Sequence, residues 1–189
     1  QGNAGYDGIG SAPDIGADEI ANQSDPPVIT YTKIPSPTCI NGDKTLAGVV
    51  ITDVIGIPLA GVNIPRIYFR KNAGTWFSRP GTNTGGTATN STWSFTIVMA
   101  DMGGVTGGDL VRYYIIAQDL VPVPNVGSNP ASGLVATNVN SVTTAPSVPN
   151  SILIRALPVA TIEIGGPTTF CEGESVTLTA NAGIVWREK

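Results

Sequence analysis

Asp14, Asp18 and Glu19, with Asp7 close by, form the densest group of side chains in this sequence whose types do chemistry. Carboxylates gathered this closely serve one of two ends: ligation of Ca²⁺, a hard cation that takes about six to eight oxygens, or an acid–base pair. Their spacing fits no calcium-binding loop. The expectation is therefore that they cap and solvate the end of a structural element, and that the chain has no cofactor, Ca²⁺ being the one candidate ion. His is absent from all 189 residues. That excludes, within this chain, Ser-His-Asp and Cys-His nucleophile systems, an imidazole base, and His-ligated zinc or copper.

Three further groups merit a chemical reading. Gly81 to Gly86, in Pro-Gly-Thr-Asn-Thr-Gly-Gly, has the glycine content of a phosphate cradle but lacks the Gly-Lys-Ser/Thr ending and a following helix, so a mobile hairpin loop is expected. Tyr68, Trp76, Phe77 and Tyr114 supply either an exposed aromatic platform for sugar rings or ordinary packing, in which Trp76 and Phe77 close the core and the two tyrosines pair across strands. Cys39 and Cys171 are too few for a disulfide framework and are not spaced like a metal knuckle. They fall in different segments, and a free, buried Cys39 is expected. No residue is assigned a catalytic, cofactor-binding or metal-binding role.

The elements that would position these groups are strands. Charged residues make up 13% of the chain, about half the ~25% of ordinary soluble domains, while 23 Gly and 15 Pro punctuate Thr-, Ser-, Asn- and Val-rich sequence. No segment carries the apolar spacing of an amphipathic helix. The fold class is read as all-β. With a net charge of −4 and basic residues scattered apart from Arg70–Lys71, the chain offers no footprint for nucleic acid. No run approaches the ~18 apolar residues of a membrane span, so no membrane insertion is expected. Gln1 opens without a signal peptide's basic start and apolar centre, which places any export signal upstream.

Pattern divides the chain into three segments: 1–25, 26–156 and 157–189. The first is Gly-, Asp- and Ala-rich, and Asp25-Pro26-Pro27 ends it with a stiff break. In the second, strands are expected at Val28 to Thr32, Thr45 to Asp53 (Ala47, Val49 and Ile51 sharing a face) and Pro65 to Lys71 (Ile67 and Phe69 on one side). More follow at Thr92 to Val98 (Trp93, Phe95 and Ile97 together), Val111 to Asp119 (Val111, Tyr113, Ile115 and Ala117 inward) and Ser151 to Arg155. Arg79 to Asn90 and Leu120 to Pro149 are read as the long connections. This pattern predicts a two-sheet sandwich of immunoglobulin or fibronectin-III type. In the third segment Val159 to Ile164, Ser175 to Ala180 and the beginning of another strand at Ile184 to Trp186 are too little to enclose a core, so the chain is expected to stop inside a domain.

Resemblances sharpen this outline. Tyr6-Asp-Gly8 and Pro13-Asp-Ile-Gly-Ala-Asp-Glu19 resemble the closing rung of right-handed parallel β-helix proteins of the pectate-lyase-like kind, which implies solenoid coils upstream. The middle segment is similar to an immunoglobulin-like module of large secreted Bacteroidetes proteins. The likeness is carried by Pro27-Val-Ile-Thr-Tyr31, Thr45 to Asp53, Pro65-Arg-Ile-Tyr68, Tyr113 to Asp119 and Pro124-Asn-Val-Gly127. The Trp-Asn-Asp loop of that module is replaced here by Thr75-Trp-Phe-Ser-Arg79. Thr169-Phe-Cys-Glu-Gly-Glu-Ser-Val-Thr-Leu-Thr179 resembles the start of a second immunoglobulin-like repeat, in which the early Cys pairs with one near the domain's end; this implies that Cys171 has its partner outside the chain. Proteins of this make-up leave through the type IX secretion route and stay at the surface or are released.

These observations lead to an expected function: a non-catalytic structural and adhesion module of a secreted or cell-surface multidomain bacterial protein, with weak carbohydrate binding as an added option. Its expected partners are the neighbouring domains of the same polypeptide and extracellular polysaccharide or the cell surface. The alternative is an accessory region of a polysaccharide-degrading β-helix lyase or hydrolase whose catalytic part lies upstream.

Overall fold

A computed structural model describes residues 25–39, 42–156, 161–166, 169 and 175–180. The chain divides into two compact units, Gln1–Arg155 and Ala156–Lys189. In chain order the larger one contains β1 (Val28–Thr30), β2 (Thr38–Cys39), β3 (Lys44–Thr52), β4 (Arg66–Lys71), β5 (Phe77–Pro80), β6 (Thr82–Thr87), β7 (Asn90–Ile97), a 3-10 turn (Met99–Met102), β8 (Leu110–Gln118), β9 (Val126–Asn129), β10 (Val135–Asn138), β11 (Ser141–Thr144) and β12 (Asn150–Arg155). The protein is all-β, and the strongest strands are those with the clearest apolar alternation. In β7, Trp93, Phe95 and Ile97 are buried while Ser94 and Thr96 are only partly covered, as period-two side-chain placement requires.

One sheet has the order β1-β3-β7-β6 and the other β2-β12-β8-β4-β5, with β9 paired to the second half of β8. Their inner faces share one core in which Leu46, Ile51, Trp93 and Phe95 from the first sheet meet Ile67, Phe69, Tyr113 and Ile152 from the second. Both corners of this sandwich are made by strands that change sheets. β1 pairs with β3 and its continuation β2 pairs in parallel with β12. At the other corner β5 pairs with β4 and β6 pairs with β7, with Gly81 alone between them. A Cβ on Gly81 would lie 2.5 Å from the Phe95 ring, so only glycine lets the chain turn the corner there. Sharing edge strands in this way keeps every edge short, from 2 to 6 residues, which limits unwanted strand pairing.

Three expectations need correction. The hairpin loop over Gly81 to Gly86 is largely strand β6, because main-chain pairing to β7 needs no apolar alternation and the bulge between Asn83 and Gly85 absorbs the irregular sequence. Ala47 does not join Val49 and Ile51. A bulge between Leu46 and Val49, with Gly48 at φ 67°, exposes Ala47 and buries Leu46 in its place. Leu120 to Pro149 is not merely a connection: it holds β9 and the hairpin β10–β11, which lies over the outer face of β8 and β4. β8 is consequently covered on both faces, with Tyr114 and Ile116 as deeply buried as Tyr113 and Ile115.

The register also sets where the chain arrives and departs. Val28 lies opposite Thr52 at the end of β3, and Arg66 opposite Ile116 near the end of β8. The chain therefore arrives at the pole formed by residues 53–65 and 119–125. β12 runs down past Leu110 at the start of β8 and ends at Arg155, so the chain departs at the opposite pole. In the smaller unit β13 (Ile162–Ile164) and β14 (Leu178–Ala180) pair antiparallel, which is part of the strand content expected at 159–164 and 175–180. The strand start at 184–186 lies outside the described residues.

Candidate functional site

Three of the four aromatic residues singled out from sequence come together. Tyr68 on β4 and Tyr114 on β8 are register partners with rings stacked 5.2 Å apart at 5°. Trp76, just before β5, meets Tyr114 edge-on at 5.0 Å, and the Arg70 guanidinium sits 4.5 Å over the Trp76 ring. Phe77 is elsewhere, 6.4 Å from Phe69 and 37% exposed. The assembled rings do not form an open platform, since Leu134, Ala136, Val139 and Val142 of the hairpin region pack on them. Tyr68 Oη donates to the Val139 carbonyl at 2.9 Å, and the Val139 N–H donates to Gln118 Oε1 at 2.9 Å. Tyr114 is left 1% exposed. Burial pushes its phenol well above the ordinary tyrosine range, Tyr68 adding to the shift and Arg70 opposing it.

A second constellation ties the first strand to the body. Tyr31 Oη donates to the Asn129 carbonyl at 2.8 Å and accepts from Asn150 Nδ2 at 2.6 Å. Asn129 Nδ2 donates to the Ile29 carbonyl at 2.7 Å, the Ile34 N–H to Tyr113 Oη at 3.1 Å, and the Leu153 N–H to Ser36 Oγ at 3.0 Å. The run 29–36 thus has side-chain bonds to β8, β9 and β12 as well as the main-chain pairing of β1. Burial raises the Tyr31 phenol far above its usual range, the neighbouring Tyr113 charge raises it further, and the bond from Asn150 opposes both. Sequence reading missed this set because its members are unremarkable polar or main-chain groups, and their separations of 79 to 119 positions leave no local signal.

At the N-terminal pole two carboxylates shape loops. The buried Asp119 accepts from Asn125 N–H at 2.9 Å and Asn125 Nδ2 at 2.6 Å, closing the turn between β8 and β9. Asp53 Oδ1 accepts from the Ile55 and Gly56 N–H groups at 2.9 and 2.7 Å, a side-chain turn of the kind Asp favours. Burial raises the Asp53 carboxyl despite those bonds, with smaller contributions from the charges of Asp119 and Asp25. Among the described residues no three His, Cys, Asp or Glu side chains lie close enough to hold a metal ion. Asp7, Asp14, Asp18, Glu19 and Cys171 lie outside the described residues. Cys39 is exposed, contrary to the expectation of a buried thiol, because β2 is a two-residue edge strand with little to cover it.

Chemically, these arrangements fasten a strand, shape two loops and seat a hairpin. No helix among the described residues is long and apolar enough to cross a membrane. No family model matches the chain, and no curated protein matches it.

Proposed function

We propose that this chain is a non-catalytic structural and adhesion module of a secreted or cell-surface multidomain protein, transmitting tension between the domains on either side of an immunoglobulin-like sandwich. The observation that carries the reading is that the chain arrives at one pole and departs at the other, with the arriving run held along its length. Pulling the two ends apart loads β1 against β3, and β2 against its parallel neighbour β12, along the strand axes. Their hydrogen bonds, perpendicular to that axis, must then yield together and not one after another. The bonds of Tyr31, Tyr113, Ser36, Asn129 and Asn150 reinforce the same run. The immunoglobulin-like assignment is supported by the order β1-β3-β7-β6 facing β4, β8 and β12, which corresponds to the ABED and CFG sheets of that class. Sugar stacking is left out of the proposal, because the aromatic cluster is occupied by the β10–β11 hairpin.

Single-molecule stretching of the full chain by its two ends tests this. The sandwich should resist and then release about 400 Å of chain in one cooperative step, at about 3.5 Å per residue. Moving the C-terminal handle to Ala88, at the N-terminal pole, should peel strands instead and lower the unfolding force at least about twofold. Extension at the same low force in both geometries would refute the reading.

A further inference from the structure

On the outer face of the second sheet one cross-strand row combines a hydroxyl, two guanidinium groups and an indole. Ser151 on β12 is the register partner of Arg112 on β8, and Arg112 is that of Arg70 on β4. Trp76 precedes Phe77, the partner of Phe69, and so lies across from Arg70, whose guanidinium covers its ring at 4.5 Å. With strands about 4.8 Å apart the row spans about 14 Å. The β10–β11 hairpin packs on Tyr68 and Tyr114, in the next outward-facing row, whereas Ser151 is exposed and both arginines are half-buried.

Two like charges directly opposite each other destabilise a strand pair, and here no acid offsets them. Among the described residues neither arginine is in an ion pair; the salt bridge joins Arg79 to Asp101 instead. Their outward-facing neighbours on the adjoining strands, Tyr68, Tyr114, Leu110, Ser151 and Leu153, are uncharged. Asp109 is engaged with Asn72 and Thr106. Arg155, exposed on the same face of β12 as Ser151, adds a further positive charge. The donors are unused as well. Among the described residues Arg112 gives one hydrogen bond, from Nη1 to the Asn72 carbonyl, and Arg70 gives none, its Nε being buried without an acceptor. A guanidinium holds its N–H groups in a planar fork that fits a carboxylate.

We propose that this row binds an acidic polysaccharide, with uronate carboxylates taken by Arg70 and Arg112 and ring hydroxyls meeting Ser151. An extended peptide would need an open strand edge for its main chain, and β8 and β4 are each paired on both sides. A polyuronate has a carboxylate on every unit and its other polar groups as hydroxyls, so a flat sheet face with free donors can satisfy it. Half-burial of the arginines strengthens the attraction over that in open water. Recognition here is by guanidinium groups and not by ring faces, which the hairpin covers. The inference rests on the adhesive part of the proposed function and supplies its ligand.

NMR titration of the full chain with alginate oligosaccharides at low ionic strength tests the proposal. Amide signals of Arg70, Arg112 and Ser151 should shift and saturate with a Kd below about 1 mM, while those of β3 and β7 stay in place. Neutral dextran of the same length should cause no shift, and poly-glutamate should bind at least about tenfold more weakly. Arg112→Gln, on the outer face, should keep the β3 and β7 spectrum and raise the Kd at least about tenfold, whereas Arg112→Lys, which keeps the charge without the fork, should lose an intermediate amount. Arg79→Gln removes the same charge from an ion pair outside the row and should leave the Kd within about twofold. No saturable shift in the parent chain, equal binding of dextran or poly-glutamate, or an equal loss in Arg79→Gln would overturn the proposal. Stretching needs no polysaccharide, and Arg112→Gln leaves the bonds of β1 and β2 in place, so either result can fail without the other.

Discussion

Replacing Tyr31 with Phe removes one oxygen and keeps the ring that packs against the core. That oxygen serves two partners: it donates to the Asn129 carbonyl at 2.8 Å and accepts from Asn150 Nδ2 at 2.6 Å. Asn150 is 6% exposed, so its freed N–H has little access to water, and an unsatisfied buried donor costs about 1–3 kcal/mol. Allowing for partial relaxation, the variant should be destabilised by about 2 kcal/mol. For a unit of this size that lowers Tm by roughly 6–10 °C, taking about 3–5 °C per kcal/mol. Denaturant melts of the parent, Tyr31→Phe, Asn150→Ala and the double variant form a cycle in which the two changes should couple by at least about 1 kcal/mol. In the stretching geometry Tyr31→Phe should also lower the unfolding force, because the lost bonds lie on the run under tension. A Tm within about 1 °C of the parent would refute the argument, since Tyr31 would then be a packing residue whose hydroxyl is dispensable.

Gly127→Ala places a methyl group against the Pro27 carbonyl and should cost about 1–3 kcal/mol as an overpacking change; an unchanged denaturation midpoint would show that the arriving strand has room to move. Tyr31, Tyr68, Tyr113 and Tyr114 all have phenol pKa values raised by burial. Above about pH 10 the unfolded state releases these protons while the folded state keeps them, so stability is full below that pH and falls as pH rises, by up to about 1.4 kcal/mol per pH unit for each such tyrosine. Denaturant melts at about pH 9 and about pH 11 check the slope, and equal stability at both would contradict it. Tyr114→Ala removes the ring on which the β10–β11 hairpin rests and should destabilise by about 3–5 kcal/mol. Limited proteolysis within residues 134–145 should then quicken well before β3 or β7 is cut, and unaltered cleavage would mean that the hairpin is held by other contacts.

Alternation was enough to place β4, β7, β8 and β12 and to orient Ile67, Phe69, Trp93, Phe95, Ile97, Val111, Tyr113, Ile115 and Ala117 inward, because a strand half-buried against a core writes its burial into every second residue. The absence of His likewise bounded the chemistry before any geometry was known. Where pairing runs through the main chain, the side chains carry no such record. β6, β9 and the β10–β11 hairpin consequently look like connections in the sequence, and the bulge that swaps Leu46 for Ala47 leaves no mark in it. Tyr68 and Tyr114 were identifiable as cross-strand partners, but their concealment depends on a hairpin some 20 residues beyond Tyr114 folding back over them. The bonds around Tyr31 and the opposite placement of the two chain ends also come from the tertiary structure alone. The first depends on contacts about 100 positions apart and the second on strand registers between residues 24 to 50 positions apart, which local propensity and spacing cannot encode.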